Sequence, residues 1–205
     1  MHNSMEAILR AAKAGKKGVL SVAAAHDEEV LRAVRDARHE GIADSLLVGD
    51  AARIEEILQS LGENAASYAI VHASSDTEAA ALAVEAVKEG RAGFLMKGLL
   101  NTTDMLRAVV NKEHGLSTGR LLSHVMLYEI PAYHKLLAVT DGGMNPAPDA
   151  LKKADILENA AVLLKALGYE KIYASCLCGA ETVSEKIQST MDAKALSEMD
   201  ARFAP

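Results

Sequence analysis

The chain has 205 residues, 22 Lys and Arg against 28 Asp and Glu, and a formal net charge of −6 at pH 7. Half of the residues are apolar, yet only 3% are aromatic and Trp is absent, so Ala, Val, Leu, Ile and Met must fill the core. This length allows one domain or two small ones, and the mildly acidic, intermixed charge argues against a sequence-independent nucleic-acid binder.

No apolar run approaches the about 18 residues of a membrane span. Residues 1–10 lack the basic stretch and apolar core of a secretory signal, and two Cys do not make a disulfide framework. The expectation is a soluble, cytoplasmic α/β protein with no nucleic-acid or membrane partner. A secreted miniprotein, a coiled coil and a disordered chain are excluded.

Residues 4–14 predict a first helix, with Ser4 as N-cap and Gly15 as stop. A strand follows over 17–22. Residues 27–40 predict a helix, since Val30, Leu31, Val34 and Ala37 recur at helical spacing and Gly41 lies just past its end. Residues 45–48 read as a strand, followed at once by Gly49-Asp50 and a helix to about residue 61. A strand over 68–71, an Ala-rich helix over 76–89 closed by Gly90, a strand over 93–96 and a helix over 102–111 complete the series. Continuous apolar strands alternating with amphipathic helices predict a parallel sheet covered on both faces, whose ligands bind at the carboxyl ends of strands.

The texture changes after Gly115. A β-rich run over 120–130, a turn at Pro131-Ala132-Tyr133 and a strand over 135–140 predict an antiparallel pair. Residues 141–149 hold two Gly and two Pro and read as a loop. A helix from about Asp149 to Leu167, closed by Gly168, leads to a strand over 171–175 and a helix over 189–199. The expected division is a first α/β domain over 1–117 and a second over 118–205 that begins with the hairpin.

Three segments carry chemistry. Lys97-Gly98 leaves a buried-looking strand, and Asn101, Thr102 or Thr103 opens the next helix, with Arg107 about one turn in. A glycine where the backbone turns, helix N–H groups, an ammonium and a guanidinium suit a phosphate. An ordinary capped helix with a solvated Lys and Arg fits the same residues. Ser117, Thr118, Gly119, Arg120, Ser123 and His124 lie at the proposed domain change, where an anion site and a plain hinge are equal readings. Asp141, two Gly, Asn145 and two Pro then form a loop of the kind that carries function, or only a structural turn with Asp149 as cap.

Other features are bland. Cys176 and Cys178 lie on or just after a strand and point the same way; thiols on one strand face seldom bridge, no second Cys pair completes a zinc site, and the reading is buried cysteines. The seven His lack the i, i+4 spacing of a helical metal site, so no metal is expected. There is no Walker loop, no GxSxG elbow and no GxGxxG, which disfavours a dehydrogenase.

Met96-Lys97-Gly98 through Arg107, then Asn111-Lys112-Glu113, Gly119-Arg120-Leu121-Leu122-Ser123-His124-Val125, residues 140–149, residues 155–160 and Ala180-Glu181-Thr182-Val183 resemble, in order, the phosphate acetyltransferase/phosphate butyryltransferase family. Met96-Lys97-Gly98 and Leu122-Ser123-His124-Val125 resemble the butyryl branch more closely. The resemblance implies exchange of an acyl group between acyl-CoA (butyryl-CoA or a similar short chain) and phosphate, giving acyl phosphate and CoA. It implies two three-layer α/β domains with mainly parallel sheets and an interdomain cleft, as in isocitrate and isopropylmalate dehydrogenases. It also implies no cofactor, CoA being a substrate, and a homo-oligomer. Carried over residue by residue, the substrate-facing positions are Lys97, Gly98, Thr102, Thr103, Arg107, Ser117, Thr118, Gly119, Arg120, Ser123, Asp141 and Asn145.

Family chains continue beyond the matching region with a Ser-Arg pair and a following Asp that form the family's catalytic cluster. These 205 residues lack that stretch, so the expected fold is C-terminally incomplete and no catalytic residue is named. An unpaired sheet edge or uncovered apolar face is expected to follow. The alternative is a catalytically inactive relative that binds CoA or phosphate, or acts as an interaction subunit.

Overall fold

The computed structural model describes residues 2–199. Its contacts fall into two units, Leu9–Thr118 and a second made of the residues up to Ile8 together with those from Gly119 onward. The first helix, α1 (Met5–Ala14), is capped by Ser4, whose Oγ accepts the Ala7 N–H at 3.1 Å, and it buries none of its side chains.

In the Leu9–Thr118 unit, β1 (Gly18–Ala23), β2 (Ala43–Gly49), β3 (Ala69–His72) and β4 (Phe94–Lys97) form a parallel sheet in the order β3-β2-β1-β4. The predicted strands are all present, each within a few residues of its expected bounds. Helices α2 (Glu28–His39), α3 (Ala51–Ser60), α4 (Asp76–Lys88) and α5 (Thr102–Val109) connect or follow them. On one face Leu31, Val34, Ile54, Ile57 and Leu58 pack on Leu20, Val22 and Leu47. On the other, Ala79, Ala80, Ala83 and Ala86 of α4 meet Ala23, Leu46 and Val48. Both faces of β1 and β2 are therefore buried, which is why these strands read as unbroken apolar runs. The alanines let α4 approach so closely that buried Ser21 Oγ donates to Ala83 O at 2.9 Å. Strand order changes direction between β1 and β4, where open α/β sheets bind ligands at the carboxyl ends.

In the second unit, β5 (Val125–Tyr128) and β6 (Leu137–Thr140) make the expected antiparallel pair, Val125 opposite Thr140 and Tyr128 opposite Leu137. Helix α6 (Ala150–Ala166) is capped by Asp149, which accepts the Lys152 N–H at 2.8 Å. Helix α7 (Gln188–Met199) is tied to α6 by a buried carboxylate. Asp192 accepts Lys153 Nζ at 2.5 Å and Gln188 Nε2 at 2.7 Å.

Three expectations fail here. The β-rich run over 120–130 pairs only at 125–128, because side chains claim the earlier carbonyls: Asn159 donates to Leu121 O and Asn145 to Leu122 O. Residues 171–175 form no strand; among the described residues the backbone of 170–183 makes no hydrogen bond to other backbone, and a strand exists only through a neighbour's ladder. The cysteines are not buried: Cys176 is exposed and Cys178 half-buried. Among the described residues no helix is long and apolar enough to cross a membrane.

Candidate functional site

In the Leu9–Thr118 unit, the segment from Lys97 to Arg107 runs along the carboxyl edge of the sheet. The ladder continues past the end of β4, with Gly98 N donating to Ala23 O at 2.8 Å and Leu99 N to Ala24 O at 3.0 Å. A Cβ on Gly98 would stand 2.3 Å from Ala24 O and 2.7 Å from Ala23 O. Close backbone approach, rather than a left-handed turn, therefore requires this glycine. Lys97 Nζ folds over its own loop and donates to Gly98 O at 3.1 Å and Leu100 O at 2.8 Å.

Asp27, Asp50 and Ser75 cap α2, α3 and α4 with side-chain oxygens. Asn101, the cap position of α5, makes no such bond, which corrects the expected side-chain cap there. Exposed Thr102 and Thr103 form the first turn of α5. Arg107 follows, its side chain 70% exposed, with NH1 on Asp104 Oδ1 at 3.0 Å. An exposed pair of this kind contributes about 0–1 kcal/mol, so an incoming phosphate can replace Asp104 at small cost.

The edge also gathers two histidines that sequence reasoning passed over. His26 Nδ1 accepts the Asp50 N–H at 3.5 Å, and its Nε2 lies 4.0 Å from Asp76 Oδ1. His72 Nδ1 accepts the Ala51 N–H at 3.4 Å. They stand far apart in sequence, and their only signal is that each follows or ends a predicted strand. Ser117 and Thr118 end this unit, exposed and outside any helix or strand.

In the second unit, Arg120, Ser123, Asp141 and Asn145 are each held by an ion pair or hydrogen bond. Gly119 carries φ +82°, a left-handed conformation suited to glycine. Arg120 NH2 pairs with Glu158 Oε2 of α6 at 3.1 Å, with the arginine side chain 55% exposed. Asn159, the next residue of α6, donates to Ser123 Oγ at 2.9 Å as well as to Leu121 O. Asn145 Nδ2 bridges Leu122 O at 3.0 Å and Asp141 Oδ2 at 2.5 Å. Glu158 and Asn159 were not among the expected site residues, although they fall within a segment that carries the family resemblance.

Asp141 Oδ1 accepts the Gly143 and Met144 N–H groups at 3.2 and 3.1 Å. Burial pushes its carboxyl up, but the Asn145 amide and the N–H groups of Met144, Gly143 and His124 outweigh this and hold it below its ordinary value. A depressed folded-state pKa stabilises the fold above the ordinary carboxylate range, and that contribution disappears as pH falls through the folded value. Asp141→Ala is therefore expected to lower stability by about 1–2 kcal/mol at neutral pH. Urea unfolding should show the gap from wild type closing below about pH 4.

A shallow concavity elsewhere is lined by Glu55, Gln59, Glu63, Asn64, Tyr68 and Ile70. Its carboxylates disfavour a polyanion. Among the described residues no three His, Cys, Asp or Glu side chains converge as metal ligands.

A family model described as phosphate acetyl/butaryl transferase matches residues 55–205. The chain is 40% identical over 202 residues to a phosphate butyryltransferase of Clostridium acetobutylicum, covering 98% of this chain and 67% of that protein. It is 40% identical over 187 residues to a probable phosphate butyryltransferase of Bacillus subtilis, covering 91% of this chain and 62% of the relative. Among solved structures it is similar to a branched-chain phosphotransacylase from Enterococcus faecalis V583, with a TM-score of 0.75 and 28% identity, over 89% of this chain and 64% of that one. The chain thus spans about two thirds of the length of these three proteins.

Proposed function

The chain belongs to the phosphate acetyl/butaryl transferase family, and we propose that it serves the exchange of a short acyl group between CoA and inorganic phosphate. Butyryl-CoA or a similar thioester plus phosphate would give the acyl phosphate and CoA. The observation that carries this reading is the 40% identity to the clostridial phosphate butyryltransferase across 98% of the chain. The fuller architecture proposed is the isocitrate/isopropylmalate dehydrogenase-like arrangement of two α/β domains, over 1–117 and 118–205. A cytoplasmic location is part of the proposal. So is a homo-oligomer, supported by the exposed apolar side chains Met126, Tyr128, Leu137 and Val139 on one face of the hairpin.

Thioester and acyl phosphate are both activated acyl donors, so the task is alignment and charge. Phosphate and thiol must flank one carbonyl carbon, and holding them there removes much of the entropic barrier. Donors aimed at the tetrahedral oxyanion contribute roughly 3–4 kcal/mol each. The thiol must lose its proton to become nucleophilic, and no residue is assigned that base. The groups proposed to face substrate are Lys97, the Gly98 backbone, Thr102, Thr103 and Arg107 on the sheet edge. Ser117, Thr118, Gly119, Arg120, Ser123, Asp141 and Asn145 complete the set. Arg107 and Arg120 are proposed to hold phosphate oxygens of the substrate or of CoA. Their carboxylate partners Asp104 and Glu158 keep each guanidinium oriented until an anion replaces them.

Calorimetric titration with butyryl-CoA and with phosphate tests this. Arg107→Ala and Arg120→Ala are each expected to weaken one of the two ligands by about 1.5–3 kcal/mol, the worth of a charged hydrogen bond. Unchanged affinity of both variants for both ligands would leave the arginines as surface charges.

A further inference from the structure

We propose that Cys176 and Cys178 form a dithiol that closes reversibly into an intrachain disulfide by exchange with a small disulfide such as oxidised glutathione. Both are free thiols; Cys176 is exposed and Cys178 is half-buried. They lie outside the groups assigned to acyl transfer. Cys178 Sγ lies 3.6 Å from Cys176 O. The two also interact through charge: packing around the sulfur pushes the Cys176 thiol up, Cys178 pushes it further, and Lys153 draws it part of the way back.

The objection to a bridge is that i and i+2 thiols on a strand are held apart. Two extended residues span about 7 Å, just beyond the about 4.4–6.8 Å between Cα atoms that a disulfide accepts. No strand exists here. Among the described residues the backbone of 170–183 makes no backbone–backbone hydrogen bond that bending would break, and a Cβ on Gly179 would meet nothing within 4 Å. The segment can bend to the shorter separation without breaking a ladder.

The exchange balances in two steps. The exposed Cys176 thiolate attacks one sulfur of glutathione disulfide, forming a mixed disulfide and releasing one glutathione thiolate. The Cys178 thiolate then attacks the Cys176 sulfur and expels the second glutathione. The protein loses two electrons and two protons, and glutathione disulfide is reduced to two thiols. Closure also removes the proton that Cys178 Sγ donates to Ser189 O at 3.3 Å, at the start of α7.

The test is incubation of the native full chain with glutathione disulfide, followed by alkylation and intact-mass analysis. The expected product has lost both free thiols, is lighter by two hydrogens, retains no glutathionyl group and returns to the starting mass with dithiothreitol. Cys176→Ser and Cys178→Ser should each retain one glutathionyl group. Wild type that keeps one or two glutathionyl groups, links chain to chain, or keeps both thiols free would overturn the proposal. Far-UV circular dichroism before and after exchange separates closure from unfolding.

Discussion

Gly98→Ala should lower the stability of the Leu9–Thr118 unit by about 2–3 kcal/mol, the cost of forcing a methyl into a filled site. The new carbon would meet Ala24 O at 2.3 Å and Ala23 O at 2.7 Å. Both are main-chain oxygens at the end of β1, so no side chain can rotate away to relieve the contact. The loop must retreat instead, stretching the Gly98 N–Ala23 O and Leu99 N–Ala24 O bonds that extend the β1–β4 ladder. Because Lys97 Nζ is held by Gly98 O and Leu100 O, the same retreat should weaken phosphate binding along with stability. Gly93→Ala is the control, since a Cβ there meets nothing within 4 Å. Its unfolding free energy in urea should stay within about 0.5 kcal/mol of wild type. Equal midpoints for the two variants would mean that the close approach at Gly98 carries no energy.

Leu47→Ala is expected to cost more, about 3–4 kcal/mol. Leu47 is fully buried in β2, paired with Val22 of β1 on one side and Ile70 of β3 on the other. It belongs to the cluster that includes Leu31, Val34, Ile54 and Leu58. Strands on both sides and helices above keep the site from collapsing, so the cavity persists and adds to the lost transfer energy. Val162→Ala is the contrast, because that side chain is 61% exposed on α6 and should change little. Chemical denaturation followed by circular dichroism reads both. A loss under 1 kcal/mol for Leu47→Ala would contradict a tightly packed β2 centre.

What could be read from the residues was local. Asp27, with Val30, Leu31 and Val34 at helical spacing, specifies α2 without help from elsewhere, and Asp27 indeed caps it. The apolar runs at β1 and β2 are long enough to declare buried strands. The hairpin follows from two short β-rich runs around Pro131. Residues 171–175 have the same β-rich look, but pairing depends on a distant partner that local pattern does not contain. The cysteine reading failed for the same reason, since it was built on that strand.

The site was legible in part. Arg107 and Arg120 were found because Gly, hydroxyl and Arg residues cluster next to them in sequence. The carboxylates that hold them divide differently: Asp104 lies on the same turn as Arg107, whereas Glu158 reaches Arg120 only because α6 folds back on the 120–123 segment. His26 and His72 meet the amides of Asp50 and Ala51 through sheet register. No helical or strand spacing announces that meeting.

The most direct test of the acyl-transfer reading is release of free CoA thiol from butyryl-CoA by the purified 205-residue chain, measured with and without inorganic phosphate. Phosphate-dependent release, matched by equal butyryl phosphate and reduced by Arg107→Ala and Arg120→Ala, is the predicted result. Release no faster with phosphate than without it, from a folded chain that binds CoA, would contradict it.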